Sequence, residues 1–190
     1  MLVAFWIVGG ITAAVAAVII GFVAFGGGGG SSTGFTAVPA DYPHPVQAIP
    51  RIESRRHFPV GEVRNDYNSN PPTSGEHTVL ADFGIHDVPV VKESVIHNME
   101  HGGVAVWYNC NASPPLAAEQ CTELRNSLGQ VVSSEIGAGQ QVLMTPYENM
   151  EDRIALTAWG FLDAFDEFDA ERVRKFIETF ECNYNPEGFC

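Results

Sequence analysis

The sequence predicts an α+β protein: one N-terminal transmembrane helix, then a single compact extracytoplasmic domain with a small mixed or antiparallel sheet and two main helices. Three observations lead there. Residues 2–25 carry no charged side chain. Residues 26–34 read GGGGGSSTG, a composition shift that marks a linker. Beyond them, apolar periodicity alternates between short strand-like runs and helical stripes, ample in length for one hydrophobic core.

The span comes first. Residues 2–25 (LVAFWIVGGITAAVAAVIIGFVAF) offer Thr12 as their one hydroxyl. At about 1.5 Å per residue the run reaches roughly 36 Å, enough to cross a hydrocarbon core of about 30 Å with some tilt. It is longer than the apolar core of a cleaved signal peptide, and no basic stretch precedes it, so a retained anchor in contact with membrane lipid is expected. No Lys or Arg occurs before Arg51, and charge therefore gives no orientation. The cysteines give one instead. Cys110, Cys121, Cys182 and Cys190 form an even set without CxxC spacing. Local pairing, Cys110 with Cys121 and Cys182 with Cys190, would close two short loops and suits an oxidising compartment, although four cysteines allow three connectivities. The domain at 35–190 is accordingly expected on the periplasmic or extracellular side.

Within the domain, residues 35–75 are rich in proline and poor in periodicity, the pattern of extended, turn-rich chain laid over a surface. Residues 104–108 (VAVWY), 141–145 (QVLMT) and 154–159 (IALTAW) are short, apolar and bounded by breakers, as strands are. Residues 115–136 carry a helical stripe from Leu116 to Val132 that Gly137 ends. Residues 169–182 form the second main helix, capped by Asp169, with Val173, Phe176, Ile177 and Phe180 on one face. The aromatics Trp159, Phe161, Phe165 and Phe168 read as packing rather than as a ligand cage.

Ten basic against 23 acidic residues give a net charge of −13, which argues against nucleic acid as a partner. No haem-attachment or phosphate-loop pattern is present.

The chemistry-bearing residues concentrate at His97-Asn98-Met99-Glu100-His101, ahead of Gly102-Gly103 and the VAVWY strand. Residues four apart share a helix face, so His97 and His101 can turn ring nitrogens toward one metal ion. His77, behind Pro71-Pro72-Thr73-Ser74-Gly75-Glu76, is the expected third ligand. HNMEH also matches the H-x-x-E-H pattern of certain zinc proteases. Gly102-Gly103 should stop this helix after barely two turns, whereas such enzymes use a long one. His44, His57 and His86, among prolines and charges, read as exposed.

Three segments resemble the bacterial Domain of Unknown Function 3105 family: YNSNPPTSGEH (67–77), VIHNMEHGG (95–103) and ALTAWG (155–160). Members typically carry Y-N-x-N-P-P-T-S-G-P-H and H-x-L-E-H-G-G-V motifs behind an N-terminal membrane anchor. This chain has Glu76 where proline is usual and Met99 where leucine is usual. The resemblance marks His77, His97, Glu100 and His101 as motif positions and supplies no activity. A methionine would complete the ligand set, Met150 in the loop after residue 145 being preferred over Met144. Three imidazoles and a thioether favour copper, which is the expected ion; zinc, with three imidazoles and a water, is the alternative, with Glu100 then orienting a ligand or acting as base.

The function expected from the sequence is therefore metal binding or structural support by a membrane-anchored protein, rather than catalysis. The alternative is a non-catalytic accessory subunit of a membrane protein complex, packed through Gly9, Gly10, Ala13, Ala14, Ala16 and Ala17. A zinc metallohydrolase is a distant third.

Overall fold

The computed structural model describes residues 37–190. The span and the glycine linker read from the sequence lie outside them, and among the described residues no helix is long and apolar enough to cross a membrane.

The chain order is β1 (Gln47–Ala48), β2 (Gly84–Ile85), α1 (Lys92–Glu100), β3 (Val104–Tyr108), α2 (Ala118–Gly137), β4 (Val142–Pro146), β5 (Ile154–Ala158), β6 (Phe161–Phe165) and α3 (Ala170–Phe180). One mixed sheet takes all six strands in the order β1-β6-β5-β3-β4-β2. β3 and β4 are parallel, as their connection through α2 requires, and β5 and β6 form an antiparallel hairpin beside β3. The expected α+β class and its two main helices are thus present.

β3 is apolar throughout because both of its faces are covered. Val104, Val106 and Tyr108 join Leu128 and Val132 of α2 and Phe176, Ile177 and Phe180 of α3 in the larger core. Ala105 and Trp107 point the other way, toward Val95 of α1, Leu143 and Met150. The chain before α1 adds to that second face through Ile49, Ala81, Phe83 and Val90. As its composition suggests, residues 37–75 contain β1 as their one strand.

The helix ends follow local chemistry. Asp169 Oδ1 accepts from Glu171 N and Arg172 N at 2.9 and 3.1 Å, the expected cap of α3. α2 begins at Ala118, later than its apolar stripe, and Gln120 Oε1 accepts from Ala117 N at 3.0 Å. Periodicity reveals neither the two-residue β1 and β2 nor the full-length β6, where Phe161, Leu162 and Phe165 are buried on both sides of Asp163, so no alternation shows. Cys110–Cys121 and Cys182–Cys190 are disulfides with Cα atoms 5.5 Å apart, the local pairing among the three possible.

α1 positions the site. It runs nine residues and stops at Gly102, whose φ of +92° suits glycine. Gly102 N donates to Met99 O and Gly103 N to Asn98 O, a Schellman ending that fixes where His101 sits.

Candidate metal centre

Each residue of the site is held by a separate local device. His77 follows a loop pinned at Gly75 and Glu76. Gly75 has φ +125°, and a Cβ there would come within 3.1 Å of the Tyr67 ring. Tyr67 OH donates to Glu76 O at 2.7 Å. The Glu76 carboxylate accepts from Ser54 Oγ and the Arg56 guanidinium, at 2.8 Å and 2.7 Å. Those bonds hold its pKa below the usual carboxylate value. They also tether residues 54–56 to the loop. Phe58 N donates to His77 O and His77 N to Arg56 O, a bridge that sets His57 beside His77. His97 and Glu100 come from α1, where Met99 packs fully buried with Ile96 and Trp159.

The rings of His57, His77 and His97 lie 4.5–4.7 Å apart, centroid to centroid. Each of these histidines and Glu100 offers one donor atom, and the four atoms lie within 4.8 Å of one another. His77 and Glu100 are buried, at 0 % and 1 % exposure, whereas His57 opens to solvent.

Hydrogen bonds decide which ring nitrogens are available. His77 Nδ1 lies 2.9 Å from Gly75 O, and His97 Nδ1 lies 2.7 Å from Thr78 O. A carbonyl oxygen only accepts, so the proton sits on Nδ1 in both rings and Nε2 presents a lone pair. Burial lowers both pKa values below the ordinary 6.5, keeping the imidazoles neutral.

Glu100 is buried in a lopsided way. Its Oε1 accepts from Arg55 Nη1 at 3.2 Å. Oε2 faces His77 Nε2 at 2.9 Å without hydrogen-bond alignment, so both buried atoms lack a hydrogen-bond partner. His57 Nε2 stands 3.9 Å from the same oxygen. Burial, assisted by the Glu187 charge, raises the Glu100 pKa. Two buried lone-pair atoms at van der Waals separation or less are a costly arrangement unless a cation lies between them.

Of the residues expected from the sequence, His77, His97 and Glu100 come together. His101 stands beside the group: its Nε2 is 3.2 Å from His97 Nε2 and 3.1 Å from Glu187 Oε2. Met150 is placed in the apolar core with Trp107 and Leu143, where Asn109 Nδ2 donates to its carbonyl at 2.7 Å. Met144 is buried in the larger core. His57, read as merely exposed, is exposed and also part of the cluster. The long-range bridge to His77 brings it there, and nothing in the local sequence signals that pairing.

Fold and site together define an α+β domain with a histidine–carboxylate cluster at the end of a short helix. Residues 61–189 match the family described as a protein of unknown function (DUF3105), and the chain belongs to that family. His77, His97, Glu100 and Glu187 fall within the match, and His57 lies just ahead of it. No curated protein and no solved structure matches the chain.

Proposed function

We propose that this domain binds one divalent transition-metal ion through His57, His77, His97 and Glu100, as a binding or structural centre rather than a catalytic one. The observation that carries this is the facing pair His77 Nε2 and Glu100 Oε2, buried, 2.9 Å apart and unpartnered. Both are lone-pair donors with their other ends already fixed, the second-layer arrangement usual for metal ligands.

The donor set bears on the ion. With Met150 in the core, the thioether that would have favoured Cu(I) is missing from the cluster. Three imidazoles and a carboxylate suit a borderline divalent ion, zinc foremost, with Cu(II) competing on affinity. Four protein donors around one point resemble a closed structural site. Glu100 is spent as a ligand in this reading, so the H-x-x-E-H pattern keeps no free carboxylate to activate water. We further read the protein as anchored through residues 2–25 with its domain outside the cytoplasm, supported by the uncharged run and the two disulfides.

Elemental analysis of full-length protein purified without chelator tests the metal reading against a His77→Ala/His97→Ala variant. We expect about one zinc or copper per wild-type chain and loss of it in the variant. Equal, negligible metal in both, with no thermal shift on adding Zn²⁺ or Cu²⁺, would sink the reading.

A further inference from the structure

The loop closed by Cys182–Cys190 ends against the metal centre, and its seating is specific. Cys182 N donates to Gly102 O at 2.9 Å. A Cβ at Gly102 would meet Cys190 Sγ at 2.6 Å, so the loop rests directly on the turn that ends α1. The Phe189 ring, 64 % exposed, lies 4.3 Å from the His101 ring at a tilt of 32°. Glu187 then reaches His101 Nε2 at 3.1 Å.

His101 Nε2 faces two acceptors. One is Glu187 Oε2, and the other is the lone pair on His97 Nε2, 3.2 Å away. A carboxylate oxygen has no hydrogen to give, so the single hydrogen between these atoms belongs to His101 Nε2. It can bond well to one acceptor. A bond to the carboxylate is charge-assisted and stronger than a bond to a neutral imidazole. As the rings sit, the N–H is aligned on His97 Nε2, and Glu187 Oε2, at charge-pair distance, is the second acceptor to which it can turn when His97 gives its lone pair to a metal. Without Glu187 no second acceptor competes for that hydrogen, and His101 keeps the lone pair the metal needs.

We propose that the disulfide-closed C-terminal loop is a working part of the metal centre, in which Glu187 takes the His101 N–H from His97 when a metal binds and so frees His97 as a ligand. This rests on the metal reading above. It makes Glu187 a positioning residue that acts on His97 through His101, and it gives the Cys182–Cys190 bond a role in metal affinity, because the bond holds Glu187 in place.

Zn²⁺ affinity of the full-length protein, measured by competition with a chromophoric chelator, tests it through epistasis. Glu187→Ala should weaken binding by about 10–100-fold, the usual cost of losing a partner behind a ligand. Glu187→Gln keeps an acceptor oxygen and should recover most of that loss. Glu187→Ala/His101→Ala removes both competitor and restraint, and should bind more tightly than Glu187→Ala alone. Cys182→Ser/Cys190→Ser, with its fold checked by circular dichroism, should weaken binding as Glu187→Ala does. Unchanged affinity in Glu187→Ala would overturn the proposal while leaving the metal site standing. A double variant weaker than Glu187→Ala would do the same, by making His101 a ligand itself. Wild-type protein that binds no Zn²⁺ would overturn both readings.

Discussion

Two buried carboxylates, Asp163 and Glu100, show how differently the same group can be used in one domain. Asp163, 2 % exposed on β6, is saturated: Arg172 of α3 grips both its oxygens, with Nε at 2.9 Å and Nη2 on the other, and Tyr42 OH adds a third contact at 3.3 Å. Glu100, 1 % exposed, has one oxygen on Arg55 and the other facing a histidine lone pair. The first arrangement is complete as it stands and ties β6, α3 and the chain near Tyr42 together. The second leaves two lone pairs facing each other, which a cation would satisfy in the reading proposed above. Burial alone thus does not mark a functional acid; an unmet lone pair does.

The largest effect expected from this contrast is on stability. Arg172→Ala leaves Asp163 buried without its guanidinium and should cost about 3–5 kcal/mol in chemical denaturation, with Zn²⁺ affinity of the folded protein unchanged. Glu100→Gln should do the reverse. It should abolish the stabilisation by Zn²⁺, which for wild type at 100-fold excess over Kd amounts to about 2.7 kcal/mol. Metal-free Glu100→Gln should be no less stable than metal-free wild type at pH 7, because the variant no longer holds a carboxylate charge against the His77 lone pair.

A smaller effect appears in the pH dependence of the metal-free protein. Glu100 has a raised pKa, so its contribution is full below the ordinary 4.5 and is lost as pH rises through the folded value. The advantage of Glu100→Gln should therefore fade on acidification toward pH 4.5. His77 and His97 are shifted the opposite way. Their folded pKa values lie below 6.5, so their contribution is present above 6.5 and is lost as pH falls through the folded values. The His77→Ala/His97→Ala variant should lose less stability between pH 6.5 and 5 than wild type, measured by urea melts. A steeper loss in the variant would contradict the neutral imidazoles on which the ligand assignment depends.

The two regions also differed in how far the sequence disclosed them. β3, β4, β5, α2 and α3 carry their own signals, since short apolar runs, a helical stripe and the Asp169 cap depend on near neighbours. The Arg172 clasp on Asp163 has no such signal, because β6 is buried on both sides and shows no alternation. In the cluster, His97 and Glu100 were legible because helical spacing is local, and His77 because its motif is distinctive. His57 was not, since the bridge between residues 57 and 77 is a long-range pairing set by Glu76, Arg56 and Tyr67. Met150 shows the converse limit: its loop position suggested a ligand, while Trp107 and Leu143 give it a packing role.

The most direct test of the central claim is X-ray absorption at the metal edge of full-length protein loaded with Zn²⁺. We expect a first shell of imidazole nitrogen and carboxylate oxygen near about 2.0–2.1 Å, with outer scattering from three histidine rings that falls to two in His57→Ala. A sulfur shell near about 2.3 Å, or a wild-type spectrum unchanged by His57→Ala, would contradict it.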